Sequence, residues 1–214
     1  MANRSTSGFG LRMAMRLGNS PAIGGQSKYA IKSGLGVGIF KGNPASIQLA
    51  GDTGYIQDSA FSTTDDGNDG GIDFTTANDA LLVGVHNGVF YIDNTTSKPT
   101  FANSVAASTT FGTNPNTNST DGVAFVNDDP DQEYVVKADA AVGQAIFGLC
   151  GNINDFAAGD AKDGASTATF DSGTQGETKM FRIVRSAEDP DNEDLTAAGA
   201  NIIVVINAAA NTYR

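Results

Sequence analysis

The segment Leu81-Leu82-Val83-Gly84-Val85-His86-Asn87-Gly88-Val89-Phe90-Tyr91-Ile92-Asp93 holds two apolar runs on either side of an Asn-Gly pair. Val, Ile, Phe and Tyr suit the pleated, half-buried setting of a strand, and Asn-Gly is a preferred pair for a two-residue type I′ turn. The stretch therefore predicts a β-hairpin and, with it, an antiparallel β body. Further strand patterns lie at 123–127, 133–138, 141–150, 166–171, 179–185 and 201–207, and residues 94–120 read as a long surface loop. Composition points the same way. The chain has 26 glycines and 20 aspartates against 8 leucines and 4 glutamates, a balance that favours turns and strands over helices.

Upstream of this segment the charge divides. Residues 1–51 carry Arg4, Arg12, Arg16, Lys28, Lys32 and Lys41 with no acid, a charge of +6, while the remaining residues sum to −17. Asymmetry of this kind points to an interaction tail. Leu11 to Leu17 has the length of two helical turns. Gly34-Leu35-Gly36-Val37-Gly38-Ile39-Phe40 alternates glycine with apolar residues. That leaves one face bare, as in a strand lying flat on another surface or in a Gly-rich edge strand. Residues 62–80 form a hydrophilic link. The expected architecture is a mainly β chain: a long extended, basic, Gly-rich N-terminal arm and linker over 1–75, and a β-rich body over 76–214 built as an antiparallel β-barrel or β-sandwich. Asp129-Pro130-Asp131 and Asp189-Pro190-Asp191 each follow an apolar run, and proline after a carboxylate there stops a strand and starts a corner.

Catalytic chemistry finds no foothold. With one cysteine, Cys150, no intramolecular disulfide can form, and no motif links it to the single histidine, His86. The Asp-rich stretch starting at Asp66 has Gly70 at position 5 and Ala77 at position 12 of the calcium-loop template, which needs oxygen ligands there. Gly34-x-Gly36-x-Gly38 before Lys41 fits neither the dinucleotide nor the P-loop spacing. We therefore expect no catalytic residue, no resident metal and no cofactor. Six cations spread over some 40 residues form a dilute site for nucleic acid, and the −17 body repels a polyanion. No run reaches the roughly 18 apolar residues of a membrane span. The reading is a soluble, non-secreted chain without nucleic-acid or membrane partners. Its candidate binding residues, Arg4, Arg12, Arg16, Lys28, Lys32 and Lys41, face an acidic protein surface.

Four stretches together resemble the capsid cement, or decoration, proteins of tailed bacteriophages. They are the segment ending Asn87-Gly88-Val89-Phe90-Tyr91, then Val126-Asn127-Asp128-Asp129-Pro130-Asp131-Gln132-Glu133-Tyr134-Val135-Val136, then Arg182-Ile183-Val184-Arg185 to Asp189-Pro190-Asp191-Asn192, and the ending Ile203-Val204-Val205-Ile206-Asn207 to Tyr213-Arg214. The likeness spans roughly 81–214. It implies a non-enzymatic β-domain that docks on the outer surface of the assembled head in the virion and stabilises contacts between major capsid protein subunits. It also implies a homo-oligomer, with a trimer favoured over a dimer. The arm would then add a strand to an exposed sheet edge of the shell. Two other roles fit the residues: another virion component, such as a tail or head-fibre protein, or a surface carbohydrate-binding β-module.

Overall fold

The computed structural model describes residues 3–47, 54–58, 82–154, 159–177 and 179–213. Their fold is mainly β, with antiparallel sheets and no α-helix. The N-terminal strands are β1 Arg12–Arg16, β2 Ser20–Pro21, β3 Ser27–Ile31, β4 Ile39–Phe40, β5 Pro44–Ile47 and β6 Ile56–Asp58. The long strand β7 spans Leu82–Ile92, followed by β8 Pro99–Ala102, β9 Ser104–Val105, β10 Gly122–Asn127 and β11 Gln132–Lys137. Then come β12 Cys150–Asn154, β13 Thr169–Gln175, β14 Phe181–Ser186 and β15 Asn201–Ile206.

One sheet has seven strands in the order β13-β12-β14-β15-β11-β1-β2. A second has the order β3-β10-β7-β5-β6, with β8 also paired to β7, and a small third sheet joins β4 to β9. The second sheet curls into a half-barrel until its terminal strands β3 and β6 touch, and the Tyr55 hydroxyl donates to Asp121 across the closing side at 3.0 Å. β7 lies between two apolar cores. Leu82 and Val85 join Tyr134, Phe170, Phe181 and Val204 beneath the seven-stranded sheet, while Val83 and Val89 join Ile31, Ile39, Ile56 and Val126 inside the half-barrel. A strand covered on both faces is apolar at successive positions, which accounts for the unbroken run at 82–85.

The expected hairpin at Asn87-Gly88 is corrected: the chain runs straight through as one 11-residue strand. A type I′ turn needs positive φ at both central residues, and Asn87 is not among the positive-φ residues. The pair instead makes a β-bulge. Phe125 lies opposite Gly88 and Val126 opposite His86, so Asn87 is the extra residue. The straight strand wins because both its edges are occupied. β10 covers one edge from Val85 to Phe90, and β5 and β8 share the other end to end. Folding back would forfeit those ladders.

The expected standing-off arm is also corrected. β1 pairs with β11, β3 with β10 and β5 with β7, and Leu11, Ile31, Ile39 and Ala45 are core residues. Arg12-Met13-Ala14-Met15-Arg16 follows the period of 2 and forms a strand rather than two helical turns. Of the glycine-alternating stretch only Ile39 and Phe40 enter a ladder. The expected link, residues 62–80, lies outside the described residues, and with it the Asp-rich stretch that starts at Asp66. The 94–120 loop contains β8 and β9, and at 141–150 the chain makes a short 3₁₀ turn, Gln144–Ile146, before β12 begins at Cys150.

The two Asp-Pro-Asp corners explain the charge division. Arg16 meets Asp129 at 2.6 Å and Asp131 at 3.8 Å, and Arg4 meets Asp191 at 2.9 Å. Two of the six N-terminal cations are therefore matched within the chain. Three turn carboxyls are held below the ordinary carboxylate range: Asp93 by the backbone N–H and hydroxyl of Thr96, Asp189 by the amide of Asn192 and the N–H of Asp191, and Asp194 by the hydroxyl and N–H of Thr196. A depressed folded value contributes stability that is complete above the unfolded value near 4 and is lost as pH falls through the folded one. We expect the thermal midpoint to hold from neutrality to about pH 5 and to fall below about pH 4, although protonation also relieves self-repulsion in a chain of net charge −11. A midpoint that rises below pH 4 would contradict this.

Candidate binding surface

The structure does not bring the six N-terminal cations together. Arg4 and Arg16 sit on the two Asp-Pro-Asp corners, and Lys32 is half-buried just after β3. The other three border a surface centred on the bulge. The Arg12 guanidinium lies 4.2 Å above the Phe9 ring, a cation–π geometry that stiffens both groups. Arg12 and exposed Lys41 line a cleft of about 290 Å³ with Phe9, Met13, His86 and Asn87. Lys28 stands opposite Phe125 on β3.

Beside the cleft lies an aromatic face that sequence reasoning missed. Phe90 on β7 pairs with Phe101 on β8, and Phe125 sits on β10 with Gly88 as its β7 partner. The Phe90 and Phe101 centroids are 4.7 Å apart, and Phe101 and Phe125 are 6.3 Å apart with rings tilted by 23°. Phe101 is 74% exposed. Gly88 leaves the space in front of Phe125 open, and a shallow groove of about 400 Å³ there is lined by Phe101, Phe125, Gln26, Asn87 and Asn103. Asn87 lines both hollows. The bulge therefore joins a basic cleft to an aromatic ladder, in keeping with the tendency of bulges to re-aim side chains at functional edges. The signal in the sequence was the period of 2 that sets Phe90 and Phe125 on the outward face, but Phe101 lay in a stretch read as loop.

A second exposed apolar strip follows the β1–β2 edge of the seven-stranded sheet, where Met13, Met15, Leu17 and Ile23 are all open to solvent. Cys150 and His86 line different hollows. Burial pushes the Cys150 thiol up, away from a reactive thiolate. Among the described residues no three His, Cys, Asp or Glu side chains are grouped to hold a metal ion.

The chain matches no family model, no curated protein and no solved structure.

Proposed function

We propose that this chain is a non-enzymatic capsid cement protein, set on the outer surface of an assembled phage head, where it binds the major capsid protein. The observation that supports it most directly is the exposed Phe101 platform with Phe90 and Phe125, bordered by Lys28, Arg12 and Lys41, in a chain whose net charge is −11. An apolar centre with a cationic rim suits an acidic protein surface: the rings bury area at low entropic cost, and the rim steers approach. The sequence likeness over 81–214 supplies the class of partner. A ligand that binds only the expanded shell stabilises it by mass action, by about 2.7 kcal/mol per site at a hundredfold excess over Kd. The exposed β1–β2 edge is where copies of the chain would meet, as a trimer rather than a dimer by family analogy alone.

The test is co-sedimentation of the full chain with expanded shells. Phe101→Ala should weaken binding about thirtyfold, the scale of an interface hot spot near 2 kcal/mol. Arg12→Glu with Lys41→Glu should weaken it chiefly at low salt. Undiminished binding by both variants would overturn the assignment of this surface. Binding to no shell at all would overturn the cement reading. One observation favours a second reading: a ring flanked by the carboxamides of Gln26, Asn87 and Asn103 also suits a sugar, and glycan-array binding that Phe101→Ala abolishes would select it.

A further inference from the structure

Lys137 is the least expected buried group in the molecule. It lies near the end of β11 at 3% exposure, where the alternation with Tyr134 and Val136 puts it on the face away from the core. Its amine is closed in by the N-terminal segment and by the turn that follows the second Asp-Pro-Asp corner. Nζ donates to Ser5 O at 2.8 Å, to Gly199 O at 3.1 Å and to the Asn192 side-chain Oδ1 at 3.3 Å, and the Phe9 ring lies 5.8 Å away. No carboxylate touches it among these contacts. Burial, with Arg12 nearby, pulls the amine below the ordinary lysine value against the opposing pull of Asp189.

Three further contacts turn this from a buried cation into a set of reacting groups. The Asn192 Oδ1 also accepts the backbone N–H of Ser5 at 3.3 Å, so a carbonyl facing the amine is already polarised by a fixed donor. The Asn192 Nδ2 donates to Asp189 Oδ2 at 3.1 Å, and the same oxygen takes Asn201 Nδ2 at 2.6 Å. A nucleophile, an electrophilic carboxamide with an oxyanion donor, and a carboxylate on the leaving nitrogen thus stand within one hydrogen-bonded cluster. Of the three tetrahedral directions at Nζ, two are fixed by backbone carbonyls that need hydrogens. When the ammonium loses a proton, the lone pair is left in the third, toward Asn192.

We infer that Lys137 and Asn192 join spontaneously through an isopeptide bond in the folded chain. The Nζ lone pair forms the bond to Asn192 Cγ, and the carbonyl π pair moves to Oδ1, opposite the Ser5 N–H. In the adduct Nζ and Nδ2 are bonded to the same carbon, and the proton that Nζ sheds goes to Nδ2, the leaving nitrogen that the Asp189 carboxylate holds in place. The carbonyl re-forms, the Cγ–Nδ2 bond breaks and ammonia leaves with its pair. Lys–NH₂ and Asn–CONH₂ become Lys–NH–CO–Asn and NH₃, with no oxidant, metal or other reactant. The bond would staple β11 to the turn beyond β14, beside Ser5, whose backbone touches both side chains. It does not depend on the cement reading, whose test is binding to shells.

The measurement is the intact mass of the purified full chain, followed by fragmentation of its peptides. The folded protein should weigh one ammonia less than its sequence, and a branched Lys137–Asn192 peptide should appear. Incubation at mildly alkaline pH, where more amine is neutral while Asp189 stays ionised, should complete the loss. Lys137→Arg and Asn192→Ala should both show full mass. Asp189→Ala should be full mass when fresh and should react slowly if at all, with a circular dichroism spectrum matching wild type to show that it folds. Full mass in folded wild type after alkaline incubation would overturn the inference. So would an ammonia loss that persists in Lys137→Arg, because that reports a succinimide at an asparagine instead.

Discussion

Gly84→Ala is expected to cost about 3 kcal/mol or more, enough to unfold a chain of ordinary stability in mild denaturant. A Cβ built at Gly84 would sit 2.0 Å from the Asn127 carbonyl oxygen, 2.7 Å from its carbonyl carbon and 2.9 Å from Val126 Cγ1. Two of these are backbone atoms of a paired strand, so no rotamer change relieves the clash. β7 is held by β10 on one edge and β5 on the other, so it cannot slide aside alone. Relief would require parting the Val85 and Asn127 pair, and that opens both cores, because Leu82 and Val85 face one and Val83 the other. Overpacking of about 1–3 kcal/mol is then joined by ladder hydrogen bonds worth about 1 kcal/mol each. Urea unfolding at unchanged m-value measures the loss. Gly36→Ala, where a Cβ meets nothing within 4 Å, is the control and should shift the midpoint little. A Gly84→Ala midpoint within about 0.5 kcal/mol of wild type would sink the argument.

The same glycine shows how far the sequence could be read. That 82–92 is strand follows from β-branched and aromatic residues in an unbroken run. That it is one strand does not, because Asn-Gly serves a tight turn and a bulge equally well and only the neighbours on both edges decide between them. β10, β11, β14 and β15 were legible for the same local reason, each being a short apolar run between turn residues. β1 was harder. Leu11-Arg12-Met13-Ala14-Met15-Arg16-Leu17 satisfies periods of 2 and 3.6 alike, and the choice was made by pairing with β11 across more than a hundred residues of sequence. The charge division was visible, but its meaning was not. Nothing local says that Arg16 and Arg4 reach the two Asp-Pro-Asp corners, so a segment that reads as facing a partner has two of its six cations facing its own chain. Phe90 and Phe125 were written in their strands. Their exposure depended on Phe101 arriving from a segment that looked like loop.

Arg185→Ala is expected to cost about 3 kcal/mol, the low end of the range for removing one partner of a buried pair. Arg185 Nη1 and Nη2 hold Glu133 Oε1 and Oε2 at 2.7 and 2.6 Å in a two-pronged contact. The carboxylate side is almost sealed, at 1% exposure, whereas the arginine side chain is 37% exposed. The asymmetry decides the outcome. Truncating the arginine strands an ionised carboxylate where water hardly reaches it, while the attraction that is lost was already weakened by solvent at the guanidinium. In Gln132-Glu133-Tyr134-Val135-Val136-Lys137 the glutamate occupies what reads as a solvent-facing position, and its partner is 52 residues away, so neither its burial nor its pairing was visible locally. Replacing both residues by leucine should bring stability back to within about 1 kcal/mol of wild type, because the stranded charge disappears with its partner. The cycle of single and double substitutions should then show strong non-additivity, with little dependence on salt since one member is enclosed. If Arg185→Ala instead loses less than about 1 kcal/mol and the two changes simply add, the pair acts as a surface ion pair and Glu133 must find water that the packed face denies it.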